Sequence, residues 1–163
     1  MNKEMTTSGR TIVTTPSDRE ILSERIFEAP RQLVFDTMTD PNLISEWWGP
    51  RGITTVVDRM EVRPGGTWRF VQKWGNDESG FHGTYREVTP PERIVNTFEW
   101  EGMPGHVLVE TITFEELEAD RTKVRIVSLF HTTEERDGML ASGMEGGLGE
   151  SHDRLAELLA RLS

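Results

Sequence analysis

The chain has 163 residues, 28 of them acidic and 18 basic, for a formal charge of −10, with 35% apolar and 28% charged residues. That length suits one core-forming globular domain, and the acidic balance argues against a nucleic-acid scaffold or adsorption to an anionic membrane. Without Cys there is no disulfide framework, zinc–thiolate site or thiol nucleophile.

Residues 1–18 are rich in Thr and Ser, with Gly9 and Pro16, and read as a flexible N-terminal arm ahead of a domain over residues 19–163. The start, Met1-Asn2-Lys3-Glu4, shows no apolar stretch of the secretory kind, and no apolar run approaches the roughly 18 residues of a membrane helix. The expected location is cytoplasmic. Residues 20–28 predict a first strand. Pro30 suits the first position of a helix, where its missing N–H costs nothing, and Leu33, Val34, Phe35 and Met38 give that helix an apolar side. Asp40 as N-cap and Pro41 after it predict a second short helix carrying Leu43, Ile44, Trp47 and Trp48.

Three of the five tryptophans fall within 22 residues, in Trp47-Trp48-Gly49-Pro50 and Trp68-Arg69-Phe70, with Arg63-Pro64-Gly65-Gly66 between them. Large aromatics beside forced turns fit either a cavity wall or plain core packing. Six β segments follow, near 53–62, 67–74, 80–88, 93–100, 106–116 and 122–131. Gly or Pro marks most joints, and joints this short allow antiparallel hairpins but not parallel crossovers. From about Glu134 the spacing turns helical, with Met144, Leu148, Leu155, Leu159 and Leu162 on one stripe. Gly143, Gly146, Gly147 and Gly149 weaken the first half of that helix, which predicts a kinked or frayed start. The fold class is therefore α+β: a curved antiparallel sheet of about seven strands wrapped around a long C-terminal helix, with two short helices after the first strand.

Several motifs occur in order: Phe27-Glu28-Ala29-Pro30, Thr39-Asp40-Pro41, Trp47-Trp48-Gly49-Pro50, Val62-Arg63-Pro64-Gly65-Gly66, Gly83-Thr84-Tyr85-Arg86-Glu87-Val88 and Pro91-Glu92-Arg93-Ile94. On these the chain resembles the activator of heat-shock-protein-90 ATPase homologue-like family, within the START-like (SRPBCC) helix-grip superfamily. The resemblance covers roughly residues 19–162. It implies the helix-grip fold and leaves function open, because the superfamily includes lipid carriers, receptors, cyclases and oxygenase subunits. Eukaryotic activators make chaperone contacts through a separate N-terminal domain, for which residues 1–18 leave no room. No catalytic motif of the family carries over.

Strand faces follow from the period of two. Trp68, Phe70, Gln72 and Trp74 share the face expected to be concave, as do Ile94, Asn96, Phe98 and Trp100. Leu108, Glu110, Ile112 and Phe114 form the next such row, and Val124, Ile126, Ser128 and Phe130 the last. On 80–88 the sets Phe81, Gly83, Tyr85 and His82, Thr84, Arg86, Val88 compete for the interior. Gln72, Asn96, Glu110 and Ser128 are thus polar groups on a mostly apolar wall. Glu110 stands out, because a buried carboxylate must shift its pKa or find a partner. It reads as a ligand anchor, as half of an ion pair with Arg86, or as a strand-end residue in water. On the helix, Ser151 falls near the centre of the apolar stripe and His152 at its edge.

The expected function is binding of an apolar or amphipathic small molecule between sheet and C-terminal helix. The candidate lining is Trp47, Trp68, Phe70, Gln72, Asn96 and Phe98, with Glu110, Ser128, Met144, Leu148, Ser151 and His152. Two alternatives stand beside it: a protein-interaction module of the chaperone-activator type, and a cyclase- or hydrolase-like enzyme using Glu110 or His152. A protein partner or homodimer is possible; nucleic acid and membrane are not expected. No cofactor, metal or catalytic residue is predicted. The four histidines, His82, His106, His131 and His152, come from distant segments without zinc-ligand spacing, and the 143–149 Gly run lacks the Lys-Ser/Thr of a phosphate loop.

Overall fold

A computed structural model describes residues 9–163. Of the expected N-terminal arm, residues 1–8 lie outside the described residues. Ile12–Ser17 do not form an arm: they make strand β1, which pairs antiparallel with β2 (Glu20–Phe27) through Ile12–Glu24 and Val13–Ser23. The polar composition of Thr14-Thr15-Pro16-Ser17 suits an edge strand, where Pro leaves no ladder bond unmade.

Two short helices follow, α1 (Arg31–Met38) and α2 (Ile44–Trp47). Pro30 is the N-cap of α1 rather than its first helical residue. Asp40 does not cap α2: its carboxylate accepts the Asn42 N–H at 2.9 Å, closing a turn that delays the helix until Ile44. The meander then runs β3 (Thr54–Met60), β4 (Thr67–Trp74), β5 (Asp77–Thr89), β6 (Arg93–Trp100), β7 (Val107–Leu117) and β8 (Arg121–Leu129). All pairings are antiparallel, in the order β1-β2-β8-β7-β6-β5-β4-β3, so the sheet has eight strands rather than about seven. The additional one is β1.

The helical C-terminal region is broken in two, α3 (Thr133–Ala141) and α4 (Met144–Leu162), with Gly143 between them at φ +84°. That left-handed backbone is natural for Gly and strained for other residues, so the expected kink falls there. Thr132 caps α3 by accepting the Glu135 N–H at 3.1 Å, and Glu135 returns its carboxylate to the His131 N–H at 3.2 Å. On α4, Leu155, Leu158 and Leu159 are buried among Phe27, Val34, Phe35 and Val124, whereas Leu162 is exposed. The result is a helix-grip α+β fold. No helix among the described residues is long and apolar enough to cross a membrane.

Helix α4 also holds the Trp47–Pro50 turn. The buried Ser151 hydroxyl donates to Trp47 O at 2.9 Å and accepts the Gly49 N–H at 3.1 Å, and Arg154 donates to Gly49 O at 2.9 Å. Gly49 has φ +98°, and a Cβ there would lie 2.6 Å from Gln72 Nε2. Only Gly fits that turn without displacing Gln72.

Candidate functional site

Two adjoining cavities lie on the concave face. The inner one, about 150 Å³, is walled by Trp68, Phe70, Tyr85, Ile94 and Ile112 of the sheet and by Trp47 and Trp48 beneath α2. The outer one, about 520 Å³, lies between the sheet ends and α3, against Trp100, Met103, Val107, Phe130 and Met139. Phe98 lines both. Neither is lined by α4, which packs directly into the core. The expected space between sheet and C-terminal helix is therefore covered by α1, α2 and α3 instead.

A ring lattice sets the aromatic wall. Trp68 lies tilted against Phe70 at 4.8 Å and Phe98 at 5.8 Å, while Trp48 meets Phe70 and Phe81 edge-on at 5.1 and 5.4 Å. Trp68 Nε1 donates to Thr97 O at 3.3 Å across Gly83, where a Cβ would come within 1.9 Å of that same oxygen. Gly83 is thus what lets the indole cross β5.

Strand β5 resolves the competition between its two faces. Its register against β6 slips between Tyr85 and Glu87, so Arg86 is the extra residue of a bulge. Before it, Phe81, Gly83 and Tyr85 face inward; after it, Val88 does, packing on the core. Arg86 is exposed and forms no ion pair with Glu110.

One polar row crosses the wall. Tyr85, Asn96, Glu110 and Ser128 are successive cross-strand partners on β5, β6, β7 and β8. Asn96 Nδ2 donates to Glu110 Oε1 at 3.2 Å and to Thr97 O at 3.0 Å. Burial pushes the Glu110 carboxyl above its usual range, opposed only by that amide hydrogen bond. Burial also raises the Tyr85 phenol, and the Glu110 charge adds to it. The Trp47 indole N–H is buried with no hydrogen-bond partner among the described residues.

Of the sequence-predicted lining, Trp47, Trp68, Phe70, Asn96, Phe98 and Glu110 come together around the inner cavity. The other six do not line either cavity. Gln72 packs over the Gly49 turn, and Ser128 continues the polar row beyond the cavity wall. Ser151 is consumed by the Trp47–Gly49 backbone. Met144 packs beside Ile21, Leu108 and Phe130, and Leu148 lies half-buried on α4. His152 is on the far side of α4, buried against Phe27 at 5.7 Å and hydrogen-bonded to Thr11 Oγ1 at 2.9 Å. Of the two residues named for the acid–base alternative, Glu110 lines the inner cavity and His152 lines neither. Sequence reasoning missed the outer cavity. Its signal was the apolar Trp100, Met103 and Val107 in and around a Gly/Pro loop, where a solvated turn carries polar residues. Among the described residues no group of three His, Asp or Glu is arranged to hold a metal.

The geometry has relatives. A crystal structure of a protein from Rhodobacter sphaeroides superposes with TM-score 0.86 at 24% identity, over 93% of this chain and 99% of that one. An Arthrobacter aurescens protein gives 0.83 at 22% identity, over 92% and 91%. The AHSA1 protein of Silicibacter pomeroyi gives 0.69 at 21%, over 88% and 99%. Similarity at this level of identity speaks for the fold alone. No curated protein matches the sequence. Residues 28–160 match the family described as Activator of Hsp90 ATPase homolog 1-like protein, and with most of its length inside that match the chain belongs to this family.

Proposed function

We propose that the protein binds an apolar or amphipathic small molecule, with its apolar body in the outer cavity and its polar end in the inner one. The observation that carries this reading is the pairing of the two spaces across Phe98. An apolar chamber of about 520 Å³ adjoins a smaller one whose wall holds the Asn96–Glu110 pair. Ligand sites have this composition: hundreds of Å³ of apolar wall with a few convergent polar groups. Trp100 and Met103, 41% and 51% exposed, stand at the outer mouth where an apolar ligand would pass.

Titration with the neutral fluorophore N-phenyl-1-naphthylamine tests the reading. The expected result is saturable one-to-one binding that Met139→Trp, which narrows the outer chamber, weakens without lowering the melting temperature. Absent or non-saturable binding, or binding indifferent to the narrowed chamber, would reject it.

A further inference from the structure

We propose that the inner cavity recognises an organic ammonium head group, of the alkyl- or trimethylammonium class, whose apolar tail occupies the outer cavity. The inference rests on the small-molecule reading above and adds the charge and shape of the ligand. Its first support is the charge balance. Glu110 contributes a carboxyl to the inner wall, held only by the Asn96 amide, and no basic group acts on it. Among the described residues no Lys or Arg lines either cavity. The other acidic groups there are Glu134 and Glu135, and Glu135 is hydrogen-bonded to His106. An anionic head group would find no basic side chain among the described lining residues to balance it. A cation supplies the partner that a carboxylate in a poorly solvated site otherwise lacks.

The second support is the wall itself. Trp47, Trp48, Trp68, Phe70, Tyr85 and Phe98 all border this one small space. Aromatic faces attract cations through the ring quadrupole, most strongly for Trp and most where water is excluded. Trp68 has its N–H engaged by Thr97 O, so what it offers an occupant is its π surface. Size agrees as well. A space of about 150 Å³ holds roughly five water-sized groups. A trimethylammonium head, one nitrogen with four attached carbons, has the same number of heavy atoms. The chain's formal charge of −10 adds long-range attraction for cationic ligands.

The test compares three ligands of equal chain length: decyltrimethylammonium and decyl sulfate below their micelle-forming concentrations, and decanol below its solubility limit. Binding to the full chain is followed by calorimetry and Trp emission. Decyltrimethylammonium should bind about tenfold or more tighter than decanol, and decyl sulfate should be weakest. Glu110→Gln should remove most of the cation's advantage, weakening the cation far more than decanol. Trp48→Leu, at a half-buried position, should weaken the cation more than the alcohol, with melting curves confirming that both variants fold. Equal affinity for cation and alcohol overturns the head-group assignment and leaves small-molecule binding standing. A preference that neither Glu110→Gln nor Trp48→Leu reduces does the same. If none of the three ligands saturates and N-phenyl-1-naphthylamine also fails, the binding reading falls along with it.

Discussion

Asn96 and Glu110 face each other across β6 and β7, the Asn96 amide donating to the Glu110 carboxyl at 3.2 Å within the inner cavity. Asn96 is itself buried and shares its amide with Thr97 O, so the carboxyl has one fixed neutral partner and no cationic one. This makes Glu110 a point of instability in the empty protein.

Glu110→Gln should therefore stabilise the unliganded protein at neutral and alkaline pH. Burial raises the folded-state pKa above the ordinary carboxyl value of 4.5. Below that value the carboxyl is protonated in both folded and unfolded chains, and the two proteins should melt together. As pH rises, the unfolded chain loses its proton first, and the native state loses relative stability until the folded-state pKa is passed. Gln keeps the shape and the Asn96 hydrogen bond but does not titrate. The variant's melting temperature should lead by a few degrees at pH 8 and converge with wild type near pH 4. A lower melting temperature at pH 8 would show that the charge is compensated in the fold.

Helix α4 should behave as core, not as a lid. Leu155 is fully buried, and its truncation removes contacts to both sheet and α1. Leu155→Ala should cost about 2–5 kcal/mol and lower the melting temperature by on the order of 10 °C. Glu157, two residues further on and in the exposed ion pair with Arg51, should show almost no change when replaced by Ala, since solvent screens such pairs. Thermal melts of the two variants side by side check this, and equal effects would contradict the packing.

Much of this architecture was legible because burial imposes a period. Alternation alone placed Trp68, Phe70, Asn96, Phe98 and Glu110 on one wall, and Gly-rich joints made the meander antiparallel. The features that escaped are those where period and composition lose their meaning. Strand β1 is polar because an edge strand has little to bury, so Thr14 to Ser17 look like an arm. The bulge at Arg86 switches faces within a single strand, leaving both alternations partly right. Ser151 sits on the helix stripe as expected, yet its hydroxyl serves the backbone of a turn about 100 positions earlier in the chain, a contact no local pattern encodes. The outer cavity is assembled from strand ends, a loop and α3, and only their juxtaposition reveals it.

His152 should make the protein acid-sensitive from the other direction. It is buried beneath β1 and β2, where burial above all, then the neighbouring Arg25 charge, holds its pKa down to about 3 from 6.5, against a smaller upward pull from Asp153. Because the folded-state value is depressed, the unfolded chain takes up the proton first as pH falls. Stability is therefore complete above pH 6.5 and is lost progressively between 6.5 and about 3. The same residue accepts or donates a hydrogen bond with Thr11 Oγ1 and packs edge-on against Phe27, so acidification should loosen β1 along with α4. His152→Gln retains a hydrogen-bonding side chain but cannot charge. It should start from a somewhat lower melting temperature at pH 7.5, because the ring contact is lost, and then fall less steeply than wild type down to pH 4.5. Amide exchange in Ile12 to Thr14 should accelerate with acid in wild type and much less in the variant. Parallel pH profiles for the two proteins would assign the acid limb to other groups and remove His152 from the account.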